Sequence, residues 1–106
     1  MVTLADQFAI LARDVEELIG LLEEADERFW IGYFKRGLID VRAHRLAGVT
    51  YVLGCYGGAE TFSDLVIGCG RPSGETLAVT NLNARLAHLR TRVFDSANAI
   101  TARRVW

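Results

Sequence analysis

From Leu4 onward the apolar side chains fall at Leu4, Phe8, Leu11, Val15, Leu18, Leu22, Ala25 and Phe29, alternating steps of four and three. Only a helix brings such positions onto one stripe, so the first quarter of the chain is read as a long amphipathic helix packed against neighbours. Thr3 followed three residues later by Asp6 resembles a capping box with a shortened acid, and Asp6 also suits the positive end of the helix dipole. The helix therefore starts near Thr3. The polar run Glu23-Glu24-Ala25-Asp26-Glu27 is where a turn fits, with Asp26 as the cap of a second helix. Without Gly or Pro to force a break, one long bent helix stays open as the alternative.

The rest of the chain also reads as helical. Phe29-Trp30-Ile31-Gly32-Tyr33-Phe34 and its continuation through Leu38, Val41 and Arg45 predict a second helix over about 26–46. The run Val49 to Tyr56 shows no strand alternation, and a short buried helix stopping at Gly57-Gly58 fits it better. Six of the ten glycines lie between Gly54 and Gly74 together with Pro72, which predicts irregular chain, with Leu65-Val66-Ile67 the one place for a short strand. Ser73 or Thr76 then caps a last helix marked by Leu82, Leu86, Leu89, Val93, Ala97 and Ile100 and running nearly to Trp106. The expectation is a single all-α domain over 1–106. It takes the form of a four-helix antiparallel bundle with a glycine-rich irregular loop between the third and last helices.

Composition narrows the function classes. A chain of 106 residues, 51% apolar, buries one core without needing disulfides or a structural metal. Its longest uncharged stretch, Leu46 to Ala59, is too short and glycine-rich to span a membrane, and the N-terminus carries no basic leader, so a cytoplasmic protein is expected. Basic charge is eleven arginines to one lysine, a bias that points to a GC-rich bacterial genome. Residues 1–30 hold eight acids against Arg13 and Arg28, a balance of -6, whereas residues 76–106 hold five arginines against Asp95, a balance of +4. The first helix is acidic and the last basic. With net charge near zero overall, nucleic-acid binding is the weaker reading of those arginines.

No motif specifies a reaction. Cys55, Cys69, His44 and His88 lack the close spacings of a zinc site, and both thiols read as packed and reduced, so neither metal nor cofactor is expected. Each histidine falls within an expected helix. Arg85, Arg92 and Arg103 share one side of the last helix, either pairing with helix-one acids or forming an anion-binding edge. Glu16, Glu17, Glu23, Glu24 and Glu27, with Asp6 and Asp14, lie off the apolar stripe, and a solvated face is the commoner meaning of such a run. Trp30 and Tyr33 share a helical face and are most simply core, with Trp30 buried where the first two helices meet the third.

The most unusual stretch is Tyr56-Gly57-Gly58-Ala59-Glu60-Thr61-Phe62-Ser63-Asp64-Leu65. It reads either as a helix stop followed by a capped turn or as a loop presenting Glu60, Ser63 and Asp64, and it requires positive φ at Gly57 or Gly58. Together with Trp30, Asn83-Ala84-Arg85-Leu86 and Leu89-Arg90, this stretch resembles an uncharacterised family of small helical bacterial proteins, a domain of unknown function with a YGGxGSFNDL-like motif. The family's third glycine is here Glu60, and its Ser and Asn are Thr61 and Ser63. The resemblance implies a structural motif of Trp30, Tyr56, Gly57, Gly58, Phe62 and Asp64, and it implies no reaction. Small orphan helical proteins of this kind often neighbour toxin genes, which implies an immunity-type role.

Two function classes follow. The first is a non-enzymatic protein-binding domain, an immunity-type or regulatory partner, that covers a basic surface with Glu16, Glu23, Glu27, Glu60 and Asp64. The second is a small ligand-binding domain or enzyme whose pocket lies at the glycine-rich loop, with Asp64, Glu60 and His44 as acid/base groups. A homodimer through a leftover apolar stripe stays open as a third form.

Overall fold

The computed structural model describes residues 2–56, 61–67 and 77–103, without the side chain of Asp64. Four helices make the fold: α1 (Leu4–Glu24), α2 (Arg28–Arg42), α3 (Leu46–Leu53) and α4 (Leu77–Ala102), with a 3-10 turn at Phe62–Asp64 between the last two. The capping box is present at the start of α1. Asp6 N–H donates to the Thr3 hydroxyl and Thr3 N–H to the Asp6 carboxylate, both at 3.0 Å, satisfying two N–H groups that a helix start leaves open.

α1 runs antiparallel to both α2 and α4. Along α1, Asp14, Glu17 and Glu24 meet Ser96, Arg92 and Arg85 of α4 in falling order, and Glu16 and Glu23 meet Arg42 and Lys35 of α2 in the same sense. Because α1 packs on both α2 and α4, its buried arc is wider than the four/three stripe. Phe8, Leu11, Val15, Leu18 and Leu22 are buried as the period requires, and Ile19, Leu21 and Asp14 are buried beside them. The far face of the core comes from Phe34, Leu38 and Val41 of α2, Val49 and Val52 of α3, and Leu86, Leu89, Val93, Ala97 and Ile100 of α4.

Several boundaries differ from the sequence expectation. The first two helices are separate, and α2 begins at Arg28 rather than Asp26. Asp26 adopts left-handed backbone angles, φ 56°, and turns the chain instead of capping it. Phe29 consequently belongs to α2 and is 72% exposed, so its place in the helix-one stripe is coincidental, and Leu4 at the other end is exposed too. His44 repeats the device with φ 57°, ending α2 at Arg42 and leaving 46–53 as α3. It is therefore a corner residue outside any helix, stacked on Phe8 at 5.1 Å.

Leu65-Val66-Ile67 is not a strand. The Asn83 side-chain amide accepts from Ile67 N–H at 2.7 Å and donates to the Ile67 carbonyl at 3.0 Å, filling the role a neighbouring strand would have filled. Cys55 is a free, buried thiol. The angles at Gly57 and Gly58, the caps Ser73 and Thr76, and Cys69 and Trp106 lie outside the described residues.

Candidate functional site

Six acids of α1 and the turn after it divide into two rows, because α1 lies between two basic neighbours. The row facing α4 is structural. Asp14 is buried and accepts from the Arg92 guanidinium and, at 2.6 Å, from the Ser96 hydroxyl, while Glu17 takes the other Arg92 nitrogen at 3.0 Å. Glu24 holds Arg85 at 2.9 Å. Arg103, the third member of the basic side, donates to the Gln7 side chain at 2.8 Å. Of the two readings left open for these arginines, pairing with helix-one acids describes Arg85 and Arg92. Donating to the Glu17 carboxylate holds the Arg92 guanidinium above its already high pKa.

The row facing α2 holds no buried acid. Glu16 contacts Arg42 at 2.9 Å and Glu23 contacts Lys35 at 3.7 Å, with the glutamate side chains 49% and 56% exposed and both cations more so. Glu27 sits half-buried at the N-cap of α2, where its side chain makes no capping bond. Exposed pairs of this kind contribute roughly 0–1 kcal/mol each, so these carboxylates exchange partners at little cost.

At the glycine-rich stretch the structure brings three of the expected residues together and leaves others out. Phe62 is fully buried, with its ring 5.0 Å from Trp30, 4.8 Å from Phe34 and 5.6 Å from Tyr56. Trp30 packs against the core but is half-buried at its edge, short of the full burial expected from its neighbours in sequence. Two α4 side chains pin the segment. Arg90 donates to the carbonyls of Phe62 and Leu65 at 3.1 and 3.2 Å, and Asn83 clamps Ile67 as described. In return the Tyr56 hydroxyl donates to the Arg90 carbonyl at 2.8 Å. Glu60 and the Asp64 side chain lie outside the described residues. His44 is not brought to this segment. It stands at the corner after α2, stacked on Phe8 of α1, with the eight-residue helical rise from Phe34 to Arg42, about 12 Å of axis, between.

Burial acts on the weakly acidic groups here. It pushes the Cys55 thiol up to about 12, the Tyr33 hydroxyl up to about 12, and the Tyr56 hydroxyl further up still. Cys55 is thus a neutral core group rather than a thiolate nucleophile, and its Sγ–H donates to the Val52 carbonyl. Among the described residues no three His, Cys, Asp or Glu side chains gather as a metal group would require. No helix of the described chain is long and apolar enough to cross a membrane.

Asp14, expected from its place off the stripe to lie on a solvated face, is instead buried against Arg92 and Ser96, and the pinning role of Arg90 was not expected. Asp14 was detectable in principle, since it stands beside Leu11, Val15 and Leu18 on the buried arc, where an acid needs a cation. The role of Arg90 depends on where the loop lies and has no sequence signal.

Residues 23–71 are similar to a family described as a domain of unknown function (DUF6966). That stretch runs from the end of α1 through α2, α3 and the 3-10 turn, and so includes Trp30, Tyr56 and Phe62. No curated protein and no solved structure matches the chain.

Proposed function

We propose that this chain is a non-enzymatic protein-binding domain, an immunity-type or regulatory partner, whose contact edge is the α2-facing acidic row of Glu16, Glu23 and Glu27. The observation that supports it is the contrast between the two rows on one helix. The α4-facing row is anchored by buried Asp14, which shares Arg92 with Glu17, whereas the α2-facing row holds no buried acid and its Glu16 and Glu23 are held only by exposed cations. A basic partner surface can displace Lys35 and Arg42 while the core stays intact. Acids arranged in this way speed encounter and discriminate against acidic surfaces.

The test is the triple variant Glu16→Lys, Glu23→Lys, Glu27→Lys beside a control, Glu24→Lys, on the other row. The triple variant is expected to fold with a melting temperature within a few degrees of the parent, because exposed pairs contribute roughly 0–1 kcal/mol each. It should lose a basic partner that the parent captures from extracts at low salt. The control should keep that partner, and the parent's complex should weaken as salt rises. Undiminished capture by the triple variant would remove this edge from consideration.

A further inference from the structure

Beside the pinned segment lies a cavity of about 450 Å³ lined by Tyr56, Ser63, Arg90, Thr91 and Phe94. Its described lining includes the rings of Tyr56 and Phe94, packed on each other with centroids 5.1 Å apart, and its described charged group is the half-buried Arg90. Arg90 forms no ion pair with a described residue. One terminal nitrogen, Nη1, is engaged by the Phe62 and Leu65 carbonyls, and the guanidinium carbon lies 5.9 Å from the Phe62 ring centroid. Nε and Nη2 make no bond to a described residue, and that side of a guanidinium matches the two oxygens of a carboxylate. Arg92, two residues on and 33% exposed, meets two carboxylates in the α1 row. Two neighbouring arginines on one helix are thus placed differently, Arg92 against two carboxylates and Arg90, among the described side chains, against none, at a hollow with aromatic lining.

We propose that this hollow binds a monoanionic carboxylate attached to an aromatic or aliphatic body, the acid on Arg90 and the body against the rings of Tyr56 and Phe94. A single guanidinium favours one negative charge. The field of exposed Asp95, which reaches Tyr56, disfavours a dianion such as phosphate. The cavity volume falls in the range of small-ligand sites. Such a carboxylate comes from two sources, a free small acid or the C-terminus of a peptide. The site is independent of the acidic edge on α1, and either can fail without the other.

The probes are 3-phenylpropionate and its neutral amide, 3-phenylpropanamide, titrated into the whole chain and followed by amide chemical shifts. Two further probes are acetyl-Gly-Gly-Phe with a free C-terminus and the same peptide amidated. Expected is saturable binding of the acid with a Kd of about 1 mM, at least tenfold tighter than the amide, with shifts centred on Thr91 and Phe94. Binding of the free peptide tenfold tighter than the small acid identifies a chain terminus as the source, and equal or weaker binding identifies the small acid. Arg90→Leu should abolish the preference for the acid. Because Arg90 also anchors the Phe62 segment, Phe94→Glu, a change at a partly exposed helical position, provides the second variant and should lose the acid while keeping its melting temperature. Equal binding of acid and amide, survival of acid binding in Phe94→Glu, or no saturation by either acid at about 10 mM overturns the proposal.

Discussion

Gly48 shows how much one residue can decide in a domain this small. A Cβ added there would lie 2.7 Å from the Val41 backbone nitrogen and 2.8 Å from the Asp40 Cβ, so α3 crosses α2 at a separation only glycine permits. Gly37 on α2 faces the same crossing, with Tyr51 and Val52 side chains 3.1 Å from where its Cβ would be. The two clashes differ in kind, since backbone cannot move aside as a side chain can. Gly48→Ala is therefore expected to destabilise by about 1–3 kcal/mol or more through overpacking, read as a fall in the urea midpoint at constant slope. Gly37→Ala should cost less. In the sequence Gly48 marks only the opening of an apolar run, and nothing local distinguishes it from Gly20, whose added Cβ would meet nothing within 4 Å.

Helix boundaries depend on the same kind of information. Asp26 and His44 both carry left-handed backbone angles, and each ends one helix within two or three residues of the next start. Aspartate tolerates that conformation better than most residues, yet glycine adopts it without a Cβ penalty of roughly 1–2 kcal/mol. Asp26→Gly is expected to raise thermal stability by up to about 1 kcal/mol, since the lost contact with Arg28 is an exposed pair. Asp26→Val should lower it, because a β-branched side chain resists positive φ. Calorimetric melting of the two variants tests the sign. If Asp26→Gly melted below the parent, strain at this turn would be ruled out. The start of α1, by contrast, was legible in full, because Thr3 and Asp6 act across three residues and need no tertiary partner.

For the molecule as a whole, burial of weak acids sets an alkaline limit. The folded pKa values of Cys55, Tyr33 and Tyr56 are raised above their ordinary values of 9.0, 10.0 and 10.0, chiefly by desolvation. A raised pKa means the folded state holds the proton more tightly than the unfolded chain. The contribution is thus complete below pH 9 and is lost as pH climbs through the folded values toward about 12. Thermal melts are expected to be flat from neutrality to about pH 9 and to fall steeply beyond it. Cys55→Ala should delay the onset, and the parent thiol should react slowly with a thiol reagent at pH 8. An onset unchanged in Cys55→Ala would assign the alkaline limit to the tyrosines.

What the sequence determined by itself is what short-range periodicity encodes: helices with apolar stripes, a capped start, an irregular stretch where glycines concentrate, and an all-helical bundle to bury the stripes. Which of two equivalent faces an acid occupies was decided only by tertiary packing. Asp14 and Glu16 are two residues apart on one helix, yet one is buried under Arg92 and the other lies open beside Arg42. The same holds for Arg90 and Arg92. Periodicity fixes the angle at which a side chain leaves its helix. Whether that angle meets a neighbouring helix, a carbonyl of a distant loop or water depends on how the elements cross, and residues many positions apart, such as Gly48 against Asp40 and Phe62 against Arg90, settle that.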